Sequence, residues 1–119
     1  MSVFVSAFHI IIIGTLFLYV GLARTNLPKW AFPGLLGLGC FIVVYHLYKV
    51  YLHLSIGKPY WVNIFHILLV GPLLMWIGYN AEKTPRMYFE FLLMMAFAVI
   101  GYHGYYLIPS RVVPKPTLD

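Results

Sequence analysis

Acidic residues are scarce in this chain. Three Asp and Glu stand against eight Lys and Arg, and charged side chains make up 9% of 119 residues. A water-soluble domain carries about 25% charged residues, so a chain this short and this poor in charge lacks the polar surface for a soluble shell. Cysteine is rarer still. Cys40 alone excludes an internal disulfide framework, and mid-helix it reads as a small packing residue. There is no HExxH, no cysteine pair, no glycine-rich phosphate loop, no nucleophile elbow and no TVGYG-like filter. Nothing therefore supports a hydrolase, a nucleotide enzyme or a potassium pore, and no catalytic residue is assigned. Basic runs are missing too, which leaves no footprint for nucleic acid. The formal charge of +5 reads instead as attraction to anionic lipid headgroups.

What is abundant is apolar surface, at 62% of residues. It falls into four segments: Val3 to Gly21, Trp30 to Leu52, Tyr60 to Tyr79 and Met87 to Ile108. Each has roughly the 20 residues that cross about 30 Å of hydrocarbon at 1.5 Å per residue. Trp and Tyr gather at their ends, including Trp30, Tyr51, Tyr60, Trp61, Tyr79, Tyr88 and Tyr106, as expected at headgroup level. Short connections punctuated by Pro28, Pro59 and Pro85 join them. Beyond Pro109 the polar tail SRVVPKPTLD is expected to be extended. The first segment lacks the basic start and the small-residue cleavage site of a secretory signal, and it carries His9, so it reads as a retained helix.

The chain also repeats itself. Shifted by 57 residues, Phe8–Tyr51 lies over Phe65–Ile108 with 13 of 44 positions identical and no gap. Phe8-His9-Ile10 matches Phe65-His66-Ile67, and Gly14, Gly21 and Pro28 match Gly71, Gly78 and Pro85. Tyr45-His46-x-Tyr48 matches Tyr102-His103-x-Tyr105. Apolar segments resemble one another by composition, but matched His, Gly and Pro are harder to obtain that way, and an internal duplication follows. The expected fold is an all-α membrane protein of four transmembrane helices, arranged as two tandem-duplicated helical hairpins. Residues 1–54 form the first hairpin, 55–108 the second, and 109–119 the polar tail. Two spans per unit give both units one orientation and place both termini on one side. Lys and Arg divide four against four between the two faces, so charge does not decide which face is cytoplasmic.

Four of the five histidines belong to the repeat. His9 and His66 lie near the starts of odd-numbered helices, and His46 and His103 near the ends of even-numbered ones. Antiparallel neighbours put all four at one level, about 8 to 9 Å inside one face. Polar groups in hydrocarbon normally face the bundle interior, so the four are expected to converge. Three kinds of chemistry suit such a cluster. Two rings hold a haem b iron axially and support electron transfer. Four hold a single Cu or Zn ion. A cofactor of either kind is the leading expectation; the alternative is a ring of histidines that relays or gates protons or ions. Gly39 and Ala96, seven residues before His46 and His103, either make room for a flat macrocycle or let the helices approach closely. The plain alternative is a membrane scaffold in which each histidine bonds a carbonyl or a tyrosine hydroxyl as helix glue. His9, His46, His66 and His103 are thus the candidate cofactor-binding and metal-ligating residues.

Other residues have simpler accounts. His53, near the membrane surface, reads as a solvated interfacial group. Tyr45, Tyr48, Tyr102 and Tyr105 read as an aromatic belt. Glu90 sits at a helix start within reach of Arg86. Lys49 snorkels to the headgroups. Met94 and Met95 read as core packing. Pro72 permits a kink in the third helix and stands where the first half has Thr15. Beyond the lipid bilayer, the expected partner is a second copy of the chain in a homo-oligomer.

The pieces FHILLVGPLLMWIGYNAEKTPRMYFEFLL and YHGYYLI, with the earlier YHLYKVY, resemble short multi-span membrane proteins encoded by large DNA viruses of algae and protists. The likeness covers most of residues 60–108 and recurs in 4–51. It rests on His66, Gly71-Pro72, Gly78, Thr84-Pro85 and Tyr102-His103-x-Tyr105. It implies a viral origin and carries no mechanism.

Overall fold

The computed structural model describes residues 2–108, so the expected tail at 109–119 lies outside the described residues. The described chain is all helical, with four helices long and apolar enough to cross a membrane: α1 (Val3–Asn26), α2 (Ala31–Ser55), α3 (Trp61–Lys83) and α4 (Arg86–Leu107). Their starts and stops have local causes. The Ser2 side chain accepts from Val5 N at 3.1 Å and caps α1. Pro33 falls in the first turn of α2, where its missing N–H costs no intrahelical bond. At the other end of α2, Gly57 takes φ +71°. Lys58 N then donates to His53 O at 2.9 Å and Gly57 N to Leu54 O at 3.4 Å, which satisfies the last carbonyls of the helix. Pro85 precedes α4 and its carbonyl accepts from Tyr88 N.

The helices fall into two compact units that do not coincide with the sequence repeats. One unit joins residues 2–23 of α1 to residues 89–108 of α4; the other is Arg24–Tyr88, dominated by α2 and α3. Each unit therefore takes one helix from each half of the chain. The buried side chains recur at the 57-residue spacing. Phe17 and Val20 in the first unit correspond to Leu74 and Ile77 in the second, and Phe89 and Leu92 to Phe32 and Leu35; all eight are 3% exposed or less.

The close approaches recur as well. A Cβ built on Gly21 meets Leu93 and the carbonyl of Phe89; one built on Gly78 meets Leu36 and the carbonyl of Phe32. Gly14 lies against Ile100 and Gly71 against Val43. Every partner is shifted by the same 57 positions. Even the backbone irregularities match. Arg24 and Ala81 are the only described non-glycine residues with positive φ, at 54° and 50°, and each opens a short 3₁₀ turn.

Large apolar side chains cover much of the outside. Val44 and Leu68 are each 66% exposed, as are Leu22 and Phe97. Cys40 and Met94 are also exposed, so neither is the core-packing residue that its place in an apolar segment suggests. They stand on the outward faces of α2 and α4, which periodicity alone does not reveal in helices that are apolar all round.

Candidate functional site

The repeated histidines meet in pairs. In the first unit the rings of His9 (α1) and His103 (α4) stack with centroids 4.3 Å apart and planes 18° from parallel. In the second, His66 (α3) and His46 (α2) stack at 4.0 Å and 16°. Each stack thus takes one imidazole from each half of the sequence.

Local structure orients the rings. His9 Nδ1 donates to Val5 O and His66 Nδ1 to Val62 O, both at 2.7 Å and both one turn back along their own helix. A carbonyl oxygen only accepts, so in the neutral ring the Nδ1 proton is fixed and the lone pair lies on Nε2. Immediately after each of these residues the helix widens into a π turn, His9–Gly14 in α1 and His66–Val70 in α3. The Gly71 N–H reaches His66 O across the wider turn. One inserted residue re-aims the following side chains by about 100°. Pro72 does not cause this feature, because α1 has it with Thr15 at the corresponding position. What the two helices share is a histidine and a glycine five residues apart, with the glycine pressed against the facing helix. Neither π turn was visible in the sequence.

The ring on α2 is held differently. His46 Nδ1 donates to the Asn63 side-chain oxygen at 2.8 Å, and Asn63 is 6% exposed. The residue corresponding to Asn63 is Ser6. Ser6 is 1% exposed and its hydroxyl has no hydrogen-bond partner. Neither residue stood out in the sequence, although a usable signal was there: both halves carry a polar side chain three residues before the histidine, on the same helical face.

Neighbouring aromatics frame the stacks. Tyr45 and Tyr102 each set an edge against the following histidine at 5.1 Å. Phe8 and Phe65 do the same to His9 and His66 at 5.6 and 6.1 Å. Tyr45 and Tyr102 are therefore part of the histidine surroundings rather than members of a headgroup belt alone. Tyr102 Oη also donates to Tyr106 Oη at 3.3 Å, where the second unit has Lys49.

His53 is not the solvated group expected from its position. It is 7% exposed, and its Nδ1 donates to Pro59 O at 2.7 Å, which ties the α2–α3 connection to the end of α2. At Gly39, the Met75 N and the Gly71 O lie 2.9 and 2.8 Å from a built Cβ. That small residue serves close helix approach, since the facing backbone fills the space a macrocycle would need there. Among the described residues no group of three or more His, Cys, Asp or Glu is placed to hold a metal ion.

What the pairs do offer is two imidazole stacks between largely apolar helices, each with a defined tautomer on at least one ring. No family model, no curated protein and no solved structure matches the chain.

Proposed function

We propose that the chain is a four-span membrane protein, built by duplication, in which each imidazole stack forms a histidine-gated proton or ion pathway within its own helix pair. One observation carries this reading: both histidine pairs of the repeat stack across helices, His9 on His103 and His46 on His66. Ionisable groups inside a span are costly and mark ion or proton routes more often than packing. The membrane placement is supported by the four long apolar helices and their outward apolar side chains. The duplication is supported by contacts that recur 57 residues apart.

In this reading each stack takes up one proton at a time. His9 and His66 hold their Nδ1 protons on backbone carbonyls, which pass no proton onward, so exchange occurs at Nε2. Charging both rings of a stack would set two positive charges about 4 Å apart, a repulsion of roughly 4 kcal/mol at an effective dielectric of 20. Protonation of one ring therefore alters its contact with the other, and the stack acts as a gate.

The test is proton flux into liposomes carrying a lumenal pH-sensitive dye, with and without His46→Ala and His103→Ala. Flux that the wild-type chain supports and either variant abolishes sustains the proposal; wild-type flux no greater than that of empty liposomes ends it.

A second reading has one specific observation in its favour. The Nε2 lone pair fixed on His9 and His66 is the form that ligates Cu, Zn or haem iron. An absorption spectrum and elemental analysis of protein purified without a histidine tag separate it. A Soret band or stoichiometric metal would favour the cofactor, and neither would remove it. We also propose an origin among viral membrane proteins, on the residues that carry the resemblance; it adds no chemistry.

A further inference from the structure

The helical glycines of this chain are of two kinds. A Cβ on Gly14, Gly21, Gly39, Gly71 or Gly78 would press on a facing helix, whereas one on Gly34, Gly37, Gly101 or Gly104 meets nothing within 4 Å. Glycine weakens a helix relative to alanine, and close approach of a facing helix accounts for the first kind only. The second kind has its own pattern. Each open glycine corresponds, 57 residues away, to a large exposed side chain. Gly34 and Gly37 of α2 correspond to Phe91 and Met94 of α4, and Gly101 and Gly104 of α4 to Val44 and Leu47 of α2. Exposed Phe41 corresponds in the same way to exposed Ala98.

These residues form one stripe on each helix. Positions 34, 37, 41, 44 and 48 of α2 are alternately three and four apart and all are exposed; so are 91, 94, 98, 101 and 105 of α4. That spacing is the seam of two parallel helices wound about one another, with residues of one level facing each other. Alternate helices of a four-span chain cross in one direction, so α2 and α4 run parallel and corresponding residues share a depth. Level by level, small then meets large: Gly34 with Phe91, Gly37 with Met94, Ala98 with Phe41, and Gly101 with Val44. Charge agrees with size where the stripes begin. There α4 carries exposed Glu90, while α2 contains no acid and follows exposed Lys29. Lipid tails would cover either stripe without any need for the two to match.

We infer that the outward stripe of α2 docks on the outward stripe of α4 of a second copy, parallel and in register, the large side chains of each filling the glycine notches of the other. Close packing at small residues is what draws apolar helices together in lipid. The contact joins unlike faces, so each copy offers one of each, and a closed assembly uses both. The inference rests on the four-span part of the proposed function and is independent of the histidine pathway.

The experiment is disulfide cross-linking of the full-length chain in membranes. All variants carry Cys40→Ala, which removes the one native cysteine. Chains bearing Val44→Cys are co-expressed with differently tagged chains bearing Gly101→Cys. Oxidation is expected to give a dimer carrying both tags, and little dimer from either chain alone. Gly37→Met in the Val44→Cys chain is expected to lower the mixed dimer about tenfold, because an extra side chain overfills a close seam. Position 37 is open in the single chain, so the fold tolerates that change. Met94→Gly in the Gly101→Cys chain then restores the dimer. The seam is overturned by absence of the mixed dimer, by an equally strong dimer from Val44→Cys alone, or by failure of Met94→Gly to restore it. Oxidation within a single chain that bears both cysteines overturns it too. Alkaline extraction of the same membranes reads the spanning itself. A chain retained without cross-linking overturns the seam alone; a chain released overturns the four-span reading with it.

Discussion

The two helix pairs of this chain are built from corresponding residues and packed to different tolerances. Between α2 and α3 the backbones themselves are in contact: a Cβ on Gly78 would lie 2.4 Å from Leu36 N and 2.6 Å from Phe32 O. Between α1 and α4 the corresponding glycine, Gly21, is met first by the Leu93 side chain, at 2.6 Å, with the Phe89 carbonyl at 3.1 Å. The tight pair also has its polar contact closed by Asn63, and the looser pair has Ser6 instead. The contacts that recur 57 residues apart thus keep their register while their tightness differs, and where one pair has Asn63 on the His46 ring the other has Ser6, whose hydroxyl makes no hydrogen bond.

The comparison is most directly broken at the glycines. Gly78→Ala is expected to cost more than about 3 kcal/mol, because the clash is with backbone that cannot rotate away. Gly21→Ala is expected to cost about 1 to 3 kcal/mol, since Leu93 can change rotamer. Thermal unfolding of both variants in detergent or nanodiscs decides it; equal losses would mean that the pairs are packed alike. Gly39→Ala belongs with Gly78→Ala, because Gly71 O and Met75 N stand within 2.9 Å of its Cβ.

Asn63→Ala comes next. It removes the acceptor of His46 Nδ1 inside the second unit and is expected to destabilise by about 1 to 3 kcal/mol, with an altered His46 ring signal by NMR. Unchanged stability and an unchanged ring would show that Asn63 is dispensable. The smallest effects are expected at the two helix ends that match. Ala81→Gly and Arg24→Gly each relieve a positive φ that L side chains tolerate poorly, and each is expected to stabilise by about 1 kcal/mol. A rise in melting temperature for one and not the other would sharpen the contrast between the halves.

Much of the architecture was legible along the chain. Helix number followed from four apolar stretches of sufficient length, and the observed helices Val3–Asn26 and Trp61–Lys83 run past the ends of those stretches by one or two α-helical residues and a 3₁₀ turn. That His9, His46, His66 and His103 recur with Gly and Pro at one spacing was legible as well. Their grouping was not. Short connections suggest that neighbours in sequence pair as hairpins, yet residues 2–23 belong to one compact unit with residues 89–108. Helices that are apolar all round carry no stripe to say which face meets which neighbour. The π turns at His9–Gly14 and His66–Val70 were hidden as well, because the periodicity of a segment that is apolar all round does not mark a single inserted residue.

By itself the sequence determined how many helices form, where they end and which residues recur, because length, apolarity and capping act within a few turns of chain. Tertiary structure decided that the histidines meet two by two, that Asn63 closes one pair and that Ser6 lies buried beside no partner. Those outcomes depend on helix rotation and approach distance, which are set by contacts between residues far apart in the chain.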